Sequence, residues 1–393
     1  MKSEAETLAA VLAGIGPLPS VRVALLDSLG RFAAEDLRAT RPLPAFDNSA
    51  MDGYAVQAAS CSSGASLRVT GEQPAGPDRG LTVGPGEAVR IFTGAPVPEG
   101  ADAVIMQEDV TREDAMIVAQ CAAEPGEFIR RSGSDLARGQ KILARGERIA
   151  AQTIGLLAAQ GIAEVAVGAI PRVGIVSTGD ELAQVGETPA PGQIFESNSL
   201  MLHALARGTG AAVTLVEHAP DQLARLTATL QRGLENDALL ISGGVSVGDH
   251  DLVKPALRAL GAEIDLWRVA LKPGKPFLFG RVGTCSIFGL PGNPVSAFVT
   301  FLKFVRPALR KLAGAAEDDL GLRLLPARLT GALSNSGDRP HYFRGNLRGE
   351  IFTVSGRQES HALFGLSRAN ALLRVEPGGE LAADAAVRVE VWD

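Results

Sequence analysis

The sequence predicts a multidomain α/β protein: a doubly wound α/β domain, a helical N-terminal domain, an all-β domain inserted into it and a C-terminal β domain. Three observations carry this. The 393 residues exceed what one ordinary core accommodates. From residue 171 to about 317, strand-like and helix-like runs alternate at the spacing of a doubly wound, largely parallel sheet. Elsewhere, over 46–135 and again over 318–393, glycine and proline punctuate short β-rich runs.

In chain order, 3–13 and 24–38 carry apolar residues at three- and four-residue spacing and read as helices. Runs such as "SLRVTG", "EAVRIFTGA" and "DAVIMQEDV" make 46–135 a compact β module. The later part of "LARGERIAAQTIGLLAAQG" is again helical, so 1–45 and 136–170 form one N-terminal domain around the insertion. "PRVGIVSTGDEL" opens the α/β domain, 171–317, as an apolar strand, and "SNSLMLHALARG" follows as a helix that Ser197 or Asn198 can cap. "AAVTLVEHA", "DALLISGG" and runs at 262–271, 276–281 and 285–290 are strands. "DQLARLTATLQRGLE", 252–260 and a long segment from Asn293 are helices. "EIFTVSG" and "AVRVEVWD" mark the C-terminal β domain.

Composition narrows the function. With 46% hydrophobic and 21% charged residues the chain is globular. A formal charge of -6 argues against nucleic-acid binding, which needs a basic face, but not against a small anion in a local basic pocket. Cys61, Cys121 and Cys285 form no CxxC pair, which suits a reducing compartment and offers no thiolate metal site. Glu4 and Glu6 are wrong for a signal peptide, and no apolar run reaches 18 residues. The expectation is a cytoplasmic protein without membrane contact.

Ligands of open α/β sheets bind beyond the carboxyl ends of the strands. "STGDEL", "SGGVSVGDHD", "KPGKP" and "LPGNPVS" all fall at such ends. Singly, each has a plain structural reading: glycines permit turns, and Asn293 with Pro294 starts a helix. Together they form one rim. Ser242, Gly243 and Gly244 can bring backbone N–H groups to a phosphate, though this is neither GxGxxG nor a Walker loop. Pro291, Asn293, Pro294 and Ser296 aim a helix N-terminus at the same place. Two lysines in a loop are most often solvated, yet Lys272 and Lys275 sit in a proline-stiffened turn of a lysine-poor chain. Glu181, Asp249 and Asp251 supply acids, which accord with an anion only if a hard cation such as magnesium lies between. The five histidines have no zinc spacing, and there is no GxSxG elbow.

"FDNSAMDGYAV", "IFTGAPVPEGADAVIMQED", "STGDEL", "SGGVSVGDHD", "KPGKP" and "LPGNPVSA", in this order, resemble the molybdopterin molybdotransferase family, to which the E domain of gephyrin also belongs. The resemblance runs from about residue 40 to the last domain. It implies an elongated four-domain homodimer, with the α/β domain of one subunit facing the inserted β domain of the other. It implies insertion of molybdenum from molybdate into adenylylated molybdopterin, with magnesium, releasing AMP, and transient contact with other proteins of molybdenum-cofactor biosynthesis. Asp52, Thr93, Asp135 and Glu181 would then be catalytic, with Glu181, Asp249 and Asp251 holding magnesium and the pyrophosphate or orienting the water that splits the adenylate. Lys272, Lys275 and the helix start after Pro294 would cradle molybdate, with Arg344 and Ser367 as weaker candidates, since a lone arginine is most often at the surface. Asp47 and Asn48 read as local turn chemistry. "IRRSGSDL" departs from the family pattern by having Ser134 before Asp135. The competing readings are the preceding adenylyl transfer and a non-catalytic, gephyrin-like scaffold.

Overall fold

The computed structural model describes residues 1–244 and 252–392, with the backbone alone for 265–267. The chain divides into two compact units. One comprises Met1–Glu35, Arg145–Leu157 and everything from Ile162; the other is Asp36–Ala144 with Ala158–Gly161.

The first unit opens on helix Glu4–Ala13, fixed by a capping box: the Glu6 amide donates to Ser3 Oγ and the Ser3 amide to Glu6 Oε2. The expected helix over 24–38 does not form. Ser20–Ala24 is instead a strand paired antiparallel with Glu164–Gly168, and Leu25–Ser28 is a single 3-10 turn. The apolar spacing there makes no buried stripe, because Leu26 and Leu29 face outward and Gly30 turns the chain at a φ of 76°. The helix expected in the later part of "LARGERIAAQTIGLLAAQG" does form, as Ala151–Ala159.

The α/β sheet has six strands in the order Ala212–Ala219, Arg172–Thr178, Ala238–Ser242, Cys285–Leu290, Pro276–Val282, Glu263–Arg268. The first four are parallel; Pro276–Val282 runs against both of its neighbours. Both faces are covered. Ile175, Leu240 and Phe288 point into one core, and their chain neighbours Val176, Leu239 and Ile287 into the other. Helices Asn198–Gly208 and Pro294–Thr300 lie over the first face, and Leu223–Gly233 and Val253–Ala259 over the second. Pro294–Thr300 runs on through a π segment, Phe301–Val305, into Arg306–Leu312. The C-terminal strands Arg323–Leu329, His341–Arg348, Ile351–Val354, Ala371–Val375 and Ala386–Val391 close into a barrel. Among the described residues no helix is long and apolar enough to cross a membrane.

The second unit holds a six-stranded sheet in which Gly53–Val56 lies between Ala103–Met106 and Glu87–Ile91. All four residues of Gly53–Val56 are buried, with Tyr54 and Val56 in one core and Ala55 in another. Gly53 is dictated by this crowding: a β-carbon there would lie 2.0 Å from the Ile105 carbonyl oxygen. Gly53→Ala is therefore expected to destabilise this unit by about 3 kcal/mol. Urea unfolding checks this, and an unchanged midpoint would mean that the sheet has slack at this strand.

Candidate functional site

The rim forms where parallel strands end together. Ser177 and Thr178 close the second strand in sheet order, Ser242 the third and Leu290 the fourth, and paired register sets Ser242 beside both Ser177 and Leu290. Because Pro276–Val282 runs backwards, the Lys272–Lys275 turn before it reaches the same end of the sheet.

Glycine makes these turns possible. Gly243 has a φ of 91°, and a β-carbon there would meet the Thr178 carbonyl oxygen at 2.6 Å. The Gly243 amide donates to the Leu290 carbonyl at 3.3 Å. Asn198, expected as a helix cap, instead ties the rim together: its Nδ2 donates to Ser242 Oγ at 2.9 Å and to the Gly292 carbonyl at 2.7 Å. Ser197 occupies the cap position without a side-chain bond, and the Glu196 carboxylate takes the Ser199 amide at 2.9 Å. Asn293 stands at the cap position with Pro294 in the first turn, but its Nδ2 reaches Ser360 Oγ at 2.9 Å. The Val295 amide donates to the Ser360 carbonyl. Pro291 and Ser296 are buried beneath this loop.

Of the acids, Asp180 is consumed structurally, accepting the Asp221 amide, while Thr178 Oγ1 donates to the Asp221 carboxylate. Glu181 is exposed, and its carboxylate packs against Gly179. Asp249 and Asp251 lie outside the described residues. Among the described residues no three His, Cys, Asp or Glu side chains cluster as a metal site.

Lys272 and Lys275 are exposed, and the backbone between them is buried at Pro273 and Gly274. The barrel strand His341–Arg348 flanks this turn: the Lys272 amide donates to the Pro340 carbonyl at 2.9 Å, and the Tyr342 amide to the Lys272 carbonyl at 2.8 Å. The same strand carries Arg344, which is not the surface residue expected of a lone arginine but is wholly buried. Its Nη2 donates to the carbonyls of Arg357 at 2.5 Å and Glu359 at 3.3 Å. Among the described residues its Nε and Nη1 have no partner, and neither has the buried His341 Nε2. Burial pushes the Arg344 guanidinium below the usual arginine range. Ser367 is exposed, with its hydroxyl turned back to the Phe364 carbonyl. His341 and Asn198 are the rim residues that sequence reasoning passed over; the only signal was polarity beside glycine-rich or basic motifs.

In the second unit, the Thr93 amide and hydroxyl both donate to Asp52 Oδ1 at 2.8 Å. Those bonds, the amide's first, hold the Asp52 carboxyl below its ordinary range. Asp135 is exposed. Asn48 does bond locally, to the Phe46 carbonyl, but Asp47 does not: it takes the Ser132 amide and Arg131 Nη1, both at 2.7 Å. Ser49 is likewise turned inward, donating to the Met51 carbonyl. Of the polar residues of "FDNSAMDGYAV", Asn48 and Ser49 are thus spent on the turn itself, while Asp47 and Asp52 are held by segments distant along the chain.

A cavity of about 670 Å³, lined by Phe32, Ile170, Met201, Arg207 and Trp392 among others, lies at the opposite, N-terminal ends of the parallel strands. By the strand-end rule it is not the substrate site.

His341 allows a pH test. Burial first, then Lys272, Arg344 and Arg339, push its imidazole from 6.5 down to about 4. Between these values the unfolded chain binds the extra proton, so stability present above pH 6.5 is lost as pH falls towards 4. The size is on the order of 3 kcal/mol. His341→Gln is expected to flatten stability against pH in that window, measured by urea unfolding; an unaltered slope would place the dependence elsewhere.

The comparisons with known proteins agree along the whole chain. Residues 2–161 match the family model for the MoeA N-terminal region (domain I and II), 174–311 the "Probable molybdopterin binding domain", and 326–392 the MoeA C-terminal region (domain IV). Molybdopterin molybdenumtransferase 2 of Mycobacterium tuberculosis is 39% identical over 387 residues, covering 95% of each chain. The molybdopterin molybdenumtransferase of Nostoc is 38% identical over 89% of this chain and 83% of its own. Gephyrin of Dictyostelium discoideum is 34% identical over 90% of this chain and 56% of its own length. The crystal structure of the molybdopterin biosynthesis MoeA protein of Pyrococcus horikoshii superposes with a TM-score of 0.87 at 30% identity, covering all of both chains. The chain belongs to the molybdopterin molybdenumtransferase family of transferases.

Proposed function

We propose that this chain inserts molybdenum from molybdate into the dithiolene of adenylylated molybdopterin, releasing AMP and forming molybdenum cofactor. The observation that carries this reading is the cationic wall behind Lys272. Arg344 is a buried guanidinium whose Nε and Nη1 have no partner among the described residues, and His341, three positions earlier on the same strand, is held neutral with its Nε2 likewise unpartnered among them. Such groups call for an acceptor with several oxygens and negative charge. Molybdate, a tetrahedral dianion, meets that description.

In this reading Lys272 and Lys275 neutralise the entering oxyanion as compact point charges, with Ser367 and the helix start at Asn293, Pro294 and Ser296 beside them. Ser242, Gly243 and Gly244 line the place of the adenylate phosphate, with the Gly243 amide already donating to the Leu290 carbonyl, and Pro291 stiffens the neighbouring turn. Glu181, with Asp249 and Asp251, would hold magnesium; an all-carboxylate oxygen set fits a hard cation, and Glu181 is exposed at the rim. When bound, that ion would offset phosphoanhydride charge. Glu181, Asp52 and Asp135 orient the water that splits the adenylate, and Thr93 keeps Asp52 ionised and in place. The protein works in the cytoplasm as a homodimer and passes cofactor on by transient contact with other biosynthetic proteins.

The test is AMP release from adenylylated molybdopterin with magnesium, with and without molybdate. Molybdate-dependent release is expected; consumption of ATP instead would indicate the preceding adenylyl transfer, and neither activity would leave a scaffold. Lys275→Ala and Asp52→Ala are each expected to keep the fold, by circular dichroism, and to lower turnover on the order of 100-fold. Wild-type turnover in either variant removes that residue from the site.

A further inference from the structure

The lysine turn is held from behind by a buried network that none of the rim motifs contains. On one side, Lys2 pairs with Val269 in a parallel bridge, and the Ala270 amide donates to the Lys2 carbonyl at 2.8 Å. On the other, Lys272 exchanges main-chain bonds with Pro340 and Tyr342, and Arg339 Nη1 donates to the Leu271 carbonyl at 3.2 Å. These two supports are themselves joined. The Tyr342 hydroxyl lies 2.7 Å from both carboxylate oxygens of Glu4, two residues beyond Lys2. Lys303 Nζ is 3.0 Å from Glu4 Oε1 and 2.6 Å from Glu390 Oε1, and 4.9 Å above the Tyr342 ring. Arg374 Nε approaches Glu4 Oε2 at 3.4 Å.

The side chains of Lys303, Glu4 and Glu390 are 13%, 14% and 15% exposed, and Tyr342 is 1% exposed. Buried ion networks return little net stability after desolvation, and their best-attested use is to select one arrangement over others. Lys303 also sits in the π segment of the helix that leaves the "LPGNPVS" loop, a feature frequent at functional sites. The network therefore ties together the two stretches, at Lys2–Glu4 and at Arg339–Tyr342, that bond the backbone leading into the turn, whose two lysines are exposed.

We propose that Glu4, Tyr342 and Lys303 are positioning residues that set the height and angle of the Lys272–Lys275 turn towards its anionic substrate. This rests on the reading of that turn as the molybdate cradle. None of the three touches the anion; each acts through the Tyr342 and Lys2 backbone contacts. Burial, then Glu390 and Glu4, push the Tyr342 phenol upward, so it remains a donor to Glu4 throughout the working pH range.

A purely structural role would lower the unfolding midpoint and leave the kinetic constants of the folded enzyme alone. A positioning role moves KM for molybdate. Tyr342→Phe keeps the ring and deletes only the hydroxyl; it is expected to raise KM for molybdate about tenfold, with kcat changed less than about twofold. Glu4→Ala is expected to do the same, and Glu4→Gln, which still accepts from the hydroxyl, to recover most of the loss. Molybdate-induced thermal stabilisation, read without turnover, is expected to need about tenfold more molybdate in Tyr342→Phe. If Glu4→Ala does not fold, Tyr342→Phe decides alone. Wild-type KM and wild-type molybdate response in folded Tyr342→Phe would overturn the proposal. Absence of molybdate-dependent AMP release in the unaltered protein would instead overturn the functional reading on which it rests.

Discussion

A positive charge without water is the constraint around which the rim is organised. Arg344 has lost its solvent to the barrel, and two carbonyls satisfy one of its nitrogens while two others have no partner among the described residues. In a low-dielectric setting a charge with open donors is costly, and in the proposed reading a bound anion would lower that cost. The neighbouring His341, which would add to that charge if protonated, is pushed down to about 4 and stays neutral. The barrel thus contributes a fixed field, while the exposed Lys272 and Lys275 contribute charges that water can still reach.

That field is useful only if the barrel is registered on the α/β sheet, and the registration is main-chain. Lys272 bonds to Pro340 and Tyr342 through its own amide and carbonyl, so side-chain mobility at the lysine does not disturb it. The reversal of Pro276–Val282 brings the turn to the carboxyl ends of the parallel strands, and Asn198 binds Ser242 to Gly292 across that end. Glycines then settle how closely the loops can approach: at Gly243 a side chain would collide with a carbonyl. The inserted unit follows the same logic at Gly53, where the backbone of Ala103–Met106 leaves no room.

Local patterns were enough for the alternating elements over 171–317, because a strand buried on both faces and a helix with one apolar stripe have different periods. They failed over 24–38. There the apolar residues at helical spacing are divided between a strand edge, a 3-10 turn and solvent, a partition that depends on where Glu164–Gly168 returns to pair. They also misjudged Asp47, whose partners lie more than 80 residues away in sequence.

The sequence by itself determined which family this chain belongs to, how its strands and helices alternate, and which loops end at one rim, since short-range spacing and motif order encode these directly. Only the tertiary structure decided that Arg344 is buried, that His341 stands beside it, that Asn198 ties the rim loops rather than capping a helix, and that Glu4 reaches Tyr342. Each of these depends on contacts between segments distant along the chain. No local pattern distinguishes an arginine that will lose its water from one that will keep it.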